Sequence, residues 1–345
     1  MGKSQPAFVN IRMLEKSDIR CKHKDGWQSL TSVVSYGGMD MKKVTRTLKR
    51  FWPLYLMFIP GVVYLFINCY IPMFGIQIAF RQYNARDGIY GSPWCGFKNF
   101  EFLFRTNDAF VMIRNTLLYN LVFIALGTVL AVSVAIILNE VRSAKAKQLY
   151  QTVILIPYLI SMVIVSYLAF AFLSSSNGYI NNSLLKALGV DPIDWYNTPK
   201  YWPVILVLIN VWKNLGYNMI LYYATICGID HTLYEAAVVD GANRWQQIRN
   251  VTLPSLKSTI IILTLMALGG IFRSDFGLFY QVPQNSGPLI SVTQTIDTYV
   301  YRGLMQTNNI GMSSAAGVYQ SIVGFVLVVT ANFIVRKVDD ESSLF

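Results

Sequence analysis

Long apolar runs separated by short polar segments set the pattern of the chain from residue 52 onward. The runs cover residues 52–80, 110–141, 149–173, 201–226, 259–280 and 315–335. Each reaches or exceeds the roughly 20 residues an α-helix needs to cross the hydrocarbon core of a bilayer. A helix satisfies its own backbone hydrogen bonds, so such runs are expected as spans. The pattern therefore predicts an all-α, polytopic membrane protein with six transmembrane helices. Residues 1–50 lack a sustained period and are expected as a basic N-terminal arm ahead of a six-span domain over residues 51–345. Pro60 and Pro72 are expected to kink or bound the first span, and Pro157 falls inside the third.

Composition strengthens this reading. Hydrophobic residues make up 54% and charged residues 14%, against roughly 25% charge in an ordinary soluble domain. The formal net charge of +11 would suit a nucleic-acid partner, but its placement argues for a membrane. Eleven Lys/Arg precede the first apolar run, where topology and attraction to anionic lipid explain them. With the N-terminus inside, inner segments hold nineteen Lys/Arg and outer segments eight. Both termini and the loop over 231–257 are thus expected on the cytoplasmic side. Cys21, Cys69, Cys95 and Cys227 are scattered, and His23 and His231 are the only histidines, so no metal site is expected. No phosphate-binding P-loop is present, so this chain is not expected to bind or hydrolyse ATP itself.

The longest patterned polar interruption in the second half is Glu235-Ala-Ala-Val-Val-Asp-Gly-Ala-Asn-Arg-Trp-Gln-Gln-Ile-Arg-Asn-Val-Thr-Leu-Pro254. At helical spacing Leu233, Ala236, Ala237 and Val239 cluster on one side, while Glu235, Asp240 and Arg244 lie elsewhere. Gly241 is expected to weaken the helix from inside and Pro254 to close the segment. A short helix with small residues and flanking charges has the design of a docking element.

This stretch resembles the cytoplasmic EAA loop of ABC-importer permeases, in which E-A-A, three residues, G, nine residues, I, one residue and L-P recur. Glu235, Ala236, Ala237, Gly241, Leu253 and Pro254 match, and Val251 stands in place of the usual Ile. Leu233-Tyr234 and Asp240-Gly241-Ala242 resemble the sugar-importing branch, and Gly91-Ser-Pro-Trp94 and the 273–281 run resemble permeases for complex oligosaccharides. The resemblance implies a type I ABC-importer fold in a bacterial plasma membrane. It also implies a second, non-identical permease subunit, a dimer of cytoplasmic ATP-binding subunits that carry ATP and Mg, and an extracellular solute-binding protein delivering carbohydrate. On that basis Glu235, Ala236, Ala237, Asp240, Gly241, Arg244, Leu253 and Pro254 are the expected ATPase-coupling residues.

Two polar-aromatic clusters are candidates for a substrate pathway. Arg273-Ser-Asp-Phe-Gly-Leu-Phe-Tyr-Gln281 is expected at the outer end of the fifth span. There Asp275 and Gln281 could bond sugar hydroxyls, and Phe276 and Tyr280 could face sugar rings. The alternative is a structural Arg273–Asp275 pair among interfacial aromatics. On the fourth span, Lys213, Asn218 and Tyr222 serve either substrate or helix packing. No paired acid and base suggests catalysis. A permease for a peptide or opine, or a membrane enzyme or scaffold docking another partner through the 231–257 loop, remains the rival reading.

Overall fold

The computed structural model describes residues 41–101, 105–306 and 308–338, with side chains from 50 to 337. Residues 1–40, most of the expected N-terminal arm, lie outside the described residues. The chain divides into two units, Met1–Pro72 and Met73–Phe345.

The first unit is built on helix α1, Met41–Leu65, which contains Pro53 and Pro60 and passes into a π-helical turn, Phe66–Tyr70. From Phe51 onward its apolar side chains are exposed, as suits a segment whose solvent is lipid.

In the second unit, α2 spans Asn107–Glu140, with Thr106 accepting the Ala109 N–H as N-cap. Helices α3, Ala144–Leu159, and α4, Met162–Leu173, follow. The expected third span is therefore two helices, bent by 93°. The bend follows from local chemistry: Pro157 removes one N–H and Ser161 caps the new start by accepting the Ile164 N–H. Next come α5, Trp202–Cys227, α6, His231–Val239, and α7, Arg244–Gln247. A π-helical turn, Ile248–Thr252, joins α7 to α8, Leu253–Gly269. Pro254 thus sits in the first turn of α8 and does not close the segment; a missing N–H is tolerated there. Helices α9, Ile296–Met305, and α10, Ile310–Val338, follow as the last described elements.

Among the described residues five helical stretches are long and apolar enough to cross a membrane, and six are counted if the bent α3–α4 pair is one span. The fifth stretch runs over Arg244–Gly269, so the expected fifth span over 259–280 is displaced toward the N-terminus. Among the described residues the only β-type pairing is an isolated bridge between Arg81 and Trp94. The fold is all-α.

Helix α5 is the centre of the packing. Gly216 carries it against α3 so closely that a Cβ there would sit 2.3 Å from the Ile154 carbonyl oxygen, so only glycine fits. Near the C-terminal ends of α2 and α5, Ala131, Ala135, Leu138, Met219, Ile226 and Leu256 form one apolar core. Toward their other ends, Tyr119, Val165, Trp202, Leu206, Leu278 and Phe279 form a second. A third joins Ala109, Met112, Ile271, Phe272, Ile296 and Ala316.

Candidate functional site

The 231–257 loop is a short helix, a glycine turn and a second helix start. Asp230 caps α6 by accepting the Thr232 N–H at 3.0 Å. At the other end the Asp240 N–H donates to the Ala236 carbonyl and the Ala242 N–H to the Ala237 carbonyl, at 3.0 and 2.9 Å. Between them Gly241 has φ +79°, and nothing lies within 4 Å of where its Cβ would be. Gly241 therefore ends α6 and does not weaken it from inside. Its requirement is a left-handed backbone, not space. Asn243 then caps α7 with a reciprocal box: its side chain accepts the Gln246 N–H, and Gln246 Oε1 accepts the Asn243 N–H at 2.7 Å. Tyr234 and Thr252 hydroxyls lie 2.9 Å apart and tie α6 to the approach of α8.

This geometry leaves an apolar surface uncovered. Val239 is 87% and Trp245 68% exposed, with Leu233 and Val238 also exposed and Ala236 beside them. Glu235, Asp240 and Arg244 are exposed too. Arg244 Nε lies 4.0 Å from Glu140 Oε2 at the end of α2. Glu235 and Arg244 line an open cavity of about 890 Å³ with Lys147, Tyr234 and Gln247. Leu253 and Pro254 follow on the first turn of α8, both exposed.

The opposite end of α8 is an unwound crossing. The helix stops at Gly269-Gly270, and the backbone continues without helical bonding until a π-helical turn over Gly277–Gln281. Irregular backbone next to a span needs other partners for its polar groups. Asn120 of α2 donates to the carbonyls of Ile271 and Arg273 at 2.8 and 3.0 Å. Gln320 of α10 donates to the Phe272 carbonyl. Asp297 at the start of α9 accepts the Ser274 N–H at 2.6 Å, and its Oδ2 lies 2.7 Å from Ser274 Oγ. Asn115, Thr116 and Tyr119 of α2 bond the following segment, at Ser291, Gln294, Ile296 and Val292.

The expected 273–281 cluster is only partly as the sequence suggested. Among the described residues no ion pair joins Arg273 to Asp275. Asp275 instead accepts the Leu278 N–H at 3.2 Å and begins the π-helical turn. The carboxylate that organises the crossing is Asp297, which the sequence reading did not single out. The polar stripe Asn115, Thr116, Tyr119 and Asn120 in an otherwise apolar helix was its available signal. Phe276 and Tyr280 stack at 4.7 Å between ring centroids, and Tyr301 closes on both, at 4.6 and 5.0 Å.

Midway along α5, Asn210, Asn214, Tyr217, Asn218 and Tyr222 turn toward α2 and α8 around a cavity of about 350 Å³. Lys213 points elsewhere: its Nζ donates to the carbonyls of Tyr158 and Ile160 and lies 3.4 Å from that of Pro157. It thereby closes the carbonyl end of α3 at the 93° bend. Asn218 and Tyr222 are brought together at the cavity, while Asp275, Phe276, Tyr280 and Gln281 gather beyond the end of α8.

Residues 124–340 match the family described as binding-protein-dependent transport system inner membrane components. The chain belongs to this family. A relative of this permease, the polygalacturonan/rhamnogalacturonan transport system permease protein YteP of Bacillus subtilis (strain 168), is 36% identical over 288 residues. The match covers 84% of this chain and 89% of YteP. Among solved structures, a bacterial ABC transporter involved in the import of the acidic polysaccharide alginate superimposes with a TM-score of 0.79 at 34% identity, covering 86% of this chain and 99% of that one. The alginate transporter in complex with an alginate pentasaccharide-bound periplasmic protein gives 0.77 at 34% identity, covering 85% and 97%. The permease is thus a membrane transport component with the ABC-importer fold. Among the described residues no three His, Cys, Asp or Glu side chains converge as a metal site would require.

Proposed function

We propose that this permease imports an oligosaccharide, handed over by an extracellular solute-binding protein and driven by ATP hydrolysis on a separate cytoplasmic subunit dimer. A second, non-identical permease subunit completes the pathway. The observation that carries this reading is α6: a capped helix between two spans, bearing Glu235-Ala-Ala and Gly241, with Leu233, Val238, Val239 and Trp245 uncovered. An apolar face rimmed by charge suits a protein partner. The partner is the ATPase, so the 231–257 loop and both termini are cytoplasmic. Drawing the ATPases together moves α6, and α8 transmits that movement to the unwound crossing. The cavity beside Asn214, Asn218 and Tyr222 is the sugar path at mid-span, because amides and tyrosine hydroxyls match sugar hydroxyls in number and kind. Asp275, Phe276, Tyr280 and Gln281 border its outer approach. ATP and Mg belong to the partner subunits.

The test is reconstitution. The ATPase should co-purify with the wild-type permease, and oligosaccharide with its binding protein should stimulate hydrolysis. Glu235→Lys should insert normally and lose that stimulation, because a reversed charge opposes the docking contact. A well-assembled Glu235→Lys complex with normal stimulation would remove the coupling reading. Orientation is tested separately with Cys95 replaced by Ser. A cysteine at Tyr90, exposed on the loop before α2, should react with an impermeant reagent on intact cells, and one at Asn243 should not.

A further inference from the structure

Beyond the crossing, an arginine is only partly satisfied among the described residues. Arg302 on α9 donates from Nε to Asn285 Oδ1 at 2.9 Å, and its guanidinium carbon lies 5.9 Å from the centre of the Tyr280 ring. Its two terminal nitrogens reach neither solvent nor any hydrogen-bond partner. No carboxylate pairs with it among the described residues. Burial pulls its pKa below the ordinary arginine value, and Tyr280 opposes the shift. Next along the chain from Tyr280, Gln281 Oε1 is also buried without a donor. Buried charged N–H groups left without acceptors are costly and point to a group absent from the structure.

The surroundings narrow what that group is. Phe276, Tyr280 and Tyr301 make a compact aromatic patch, and Tyr280 of this patch lies beside the guanidinium. Aromatic faces suit the C–H face of a pyranose ring. The terminal nitrogens of an arginine form a planar fork that matches both oxygens of a carboxylate. The unfilled acceptor on Gln281 calls for a donor such as a hydroxyl. A group with an apolar ring face, a carboxylate and hydroxyls is a uronic acid. The turn that supplies Asn285 holds Gln284 and Asn285 at φ +53° and +49°. Asn tolerates that region, but Gln284 is strained there, and a ligand reaching the terminal nitrogens has to displace this turn.

We infer that Arg302, with the Phe276–Tyr280–Tyr301 patch and Gln281, receives a uronate unit of an acidic oligosaccharide on its way to the spans. The inference rests on the import reading and names its substrate class. A carboxylate could also come from the binding protein, so the experiment separates the two sources.

The assembled importer with its binding protein is placed in lipid nanodiscs and challenged with a tetragalacturonate and with its fully methyl-esterified form, which keeps the rings and loses the charges. In the wild type the charged sugar stimulates ATP hydrolysis. R302Q should lower that stimulation by about tenfold or more, the worth of one charge-assisted contact. It should leave basal hydrolysis, the melting temperature and the response to the ester unchanged, and R302K should recover part of the loss. Equal loss with both sugars, together with weaker binding-protein association, would assign the carboxylate to the binding protein and overturn the inference. So would a lowered melting temperature in R302Q, or stimulation unaffected by the change. A wild type that answers only to the ester removes the acidic substrate and leaves the import reading standing. One that answers to no sugar removes both.

Discussion

The two ends of α8 are held in different ways. At the Arg244 end, the 231–257 loop is fixed mostly by neighbours along the chain: Asp230 to Thr232, Asn243 with Gln246, and Gln247 to the Ala242 carbonyl. At the Gly269 end, the crossing is fixed by side chains 23 to 153 residues away in sequence. The first arrangement keeps its shape while its surface stays open to a partner. The second keeps its shape only while α2, α9 and α10 stay in place. A movement of those helices must therefore alter the crossing, whereas the loop can move as one piece. A loop that moves as one piece and a crossing held by remote helices suit the coupling proposed above.

Mutations can break this contrast. The largest effect is expected at Asp297→Ala, which strands the Ser274 N–H and removes the acceptor facing Gln320. A loss of about 3 kcal/mol or more is expected, read as a lowered melting temperature of the detergent-purified complex. Asp297→Asn should recover part of it. An unchanged melting temperature in Asp297→Ala would mean that the crossing does not depend on remote side chains.

Lys213→Met should come next. The carbonyls of Tyr158 and Ile160 lose their donor at the α3–α4 bend, a cost of about 1.5–3 kcal/mol. Destabilisation, with sugar selectivity unchanged in what remains folded, separates a role in the bend from contact with substrate.

Gly241 sharpens the other side of the contrast. Gly241→Val should cost about 1–2 kcal/mol, because a β-branched residue resists φ +79°. It should also uncouple ATP hydrolysis from sugar. Gly241→Asn should be nearly neutral, since Asn tolerates that region and the space is open. Equal damage from both would point to a partner filling the space.

The smallest effect is expected at Asp230. Its carboxyl is held below the ordinary value of 3.8, chiefly by the Thr232 N–H. A lowered folded pKa gives stabilisation that is present above the unfolded value and fades as pH falls through the folded one. The melting difference between wild type and Asp230→Ala should therefore be full above about pH 5 and shrink on further acidification. Asp230→Asn keeps a capping oxygen and should show no such dependence.

The sequence by itself determined the α-helical spans, because apolar run length and backbone satisfaction in lipid leave few alternatives. It also located a short helix over the 231–257 loop, because its caps and turn act through neighbours a few residues away, although Pro254 starts the next helix where it was expected to close the segment. Even there, why Gly241 is glycine emerged only from its backbone angle. Tertiary structure alone decided where the fifth span ends, since Gly269-Gly270 stops a helix only where Asn120, Gln320 and Asp297 wait to take its backbone groups. It alone separated Lys213 from Asn218, neighbours on one helix that face a carbonyl end and a cavity. For Asp275, read from sequence as a pathway residue or alternatively a partner of Arg273, it showed an acceptor of the Leu278 N–H at the start of a helical turn. Arg302 shows the reason most plainly: an arginine in an outer segment is ordinary in sequence. Only the fold, by burying its terminal nitrogens and setting Tyr280 beside it with no paired carboxylate among the described residues, makes it the site inferred above.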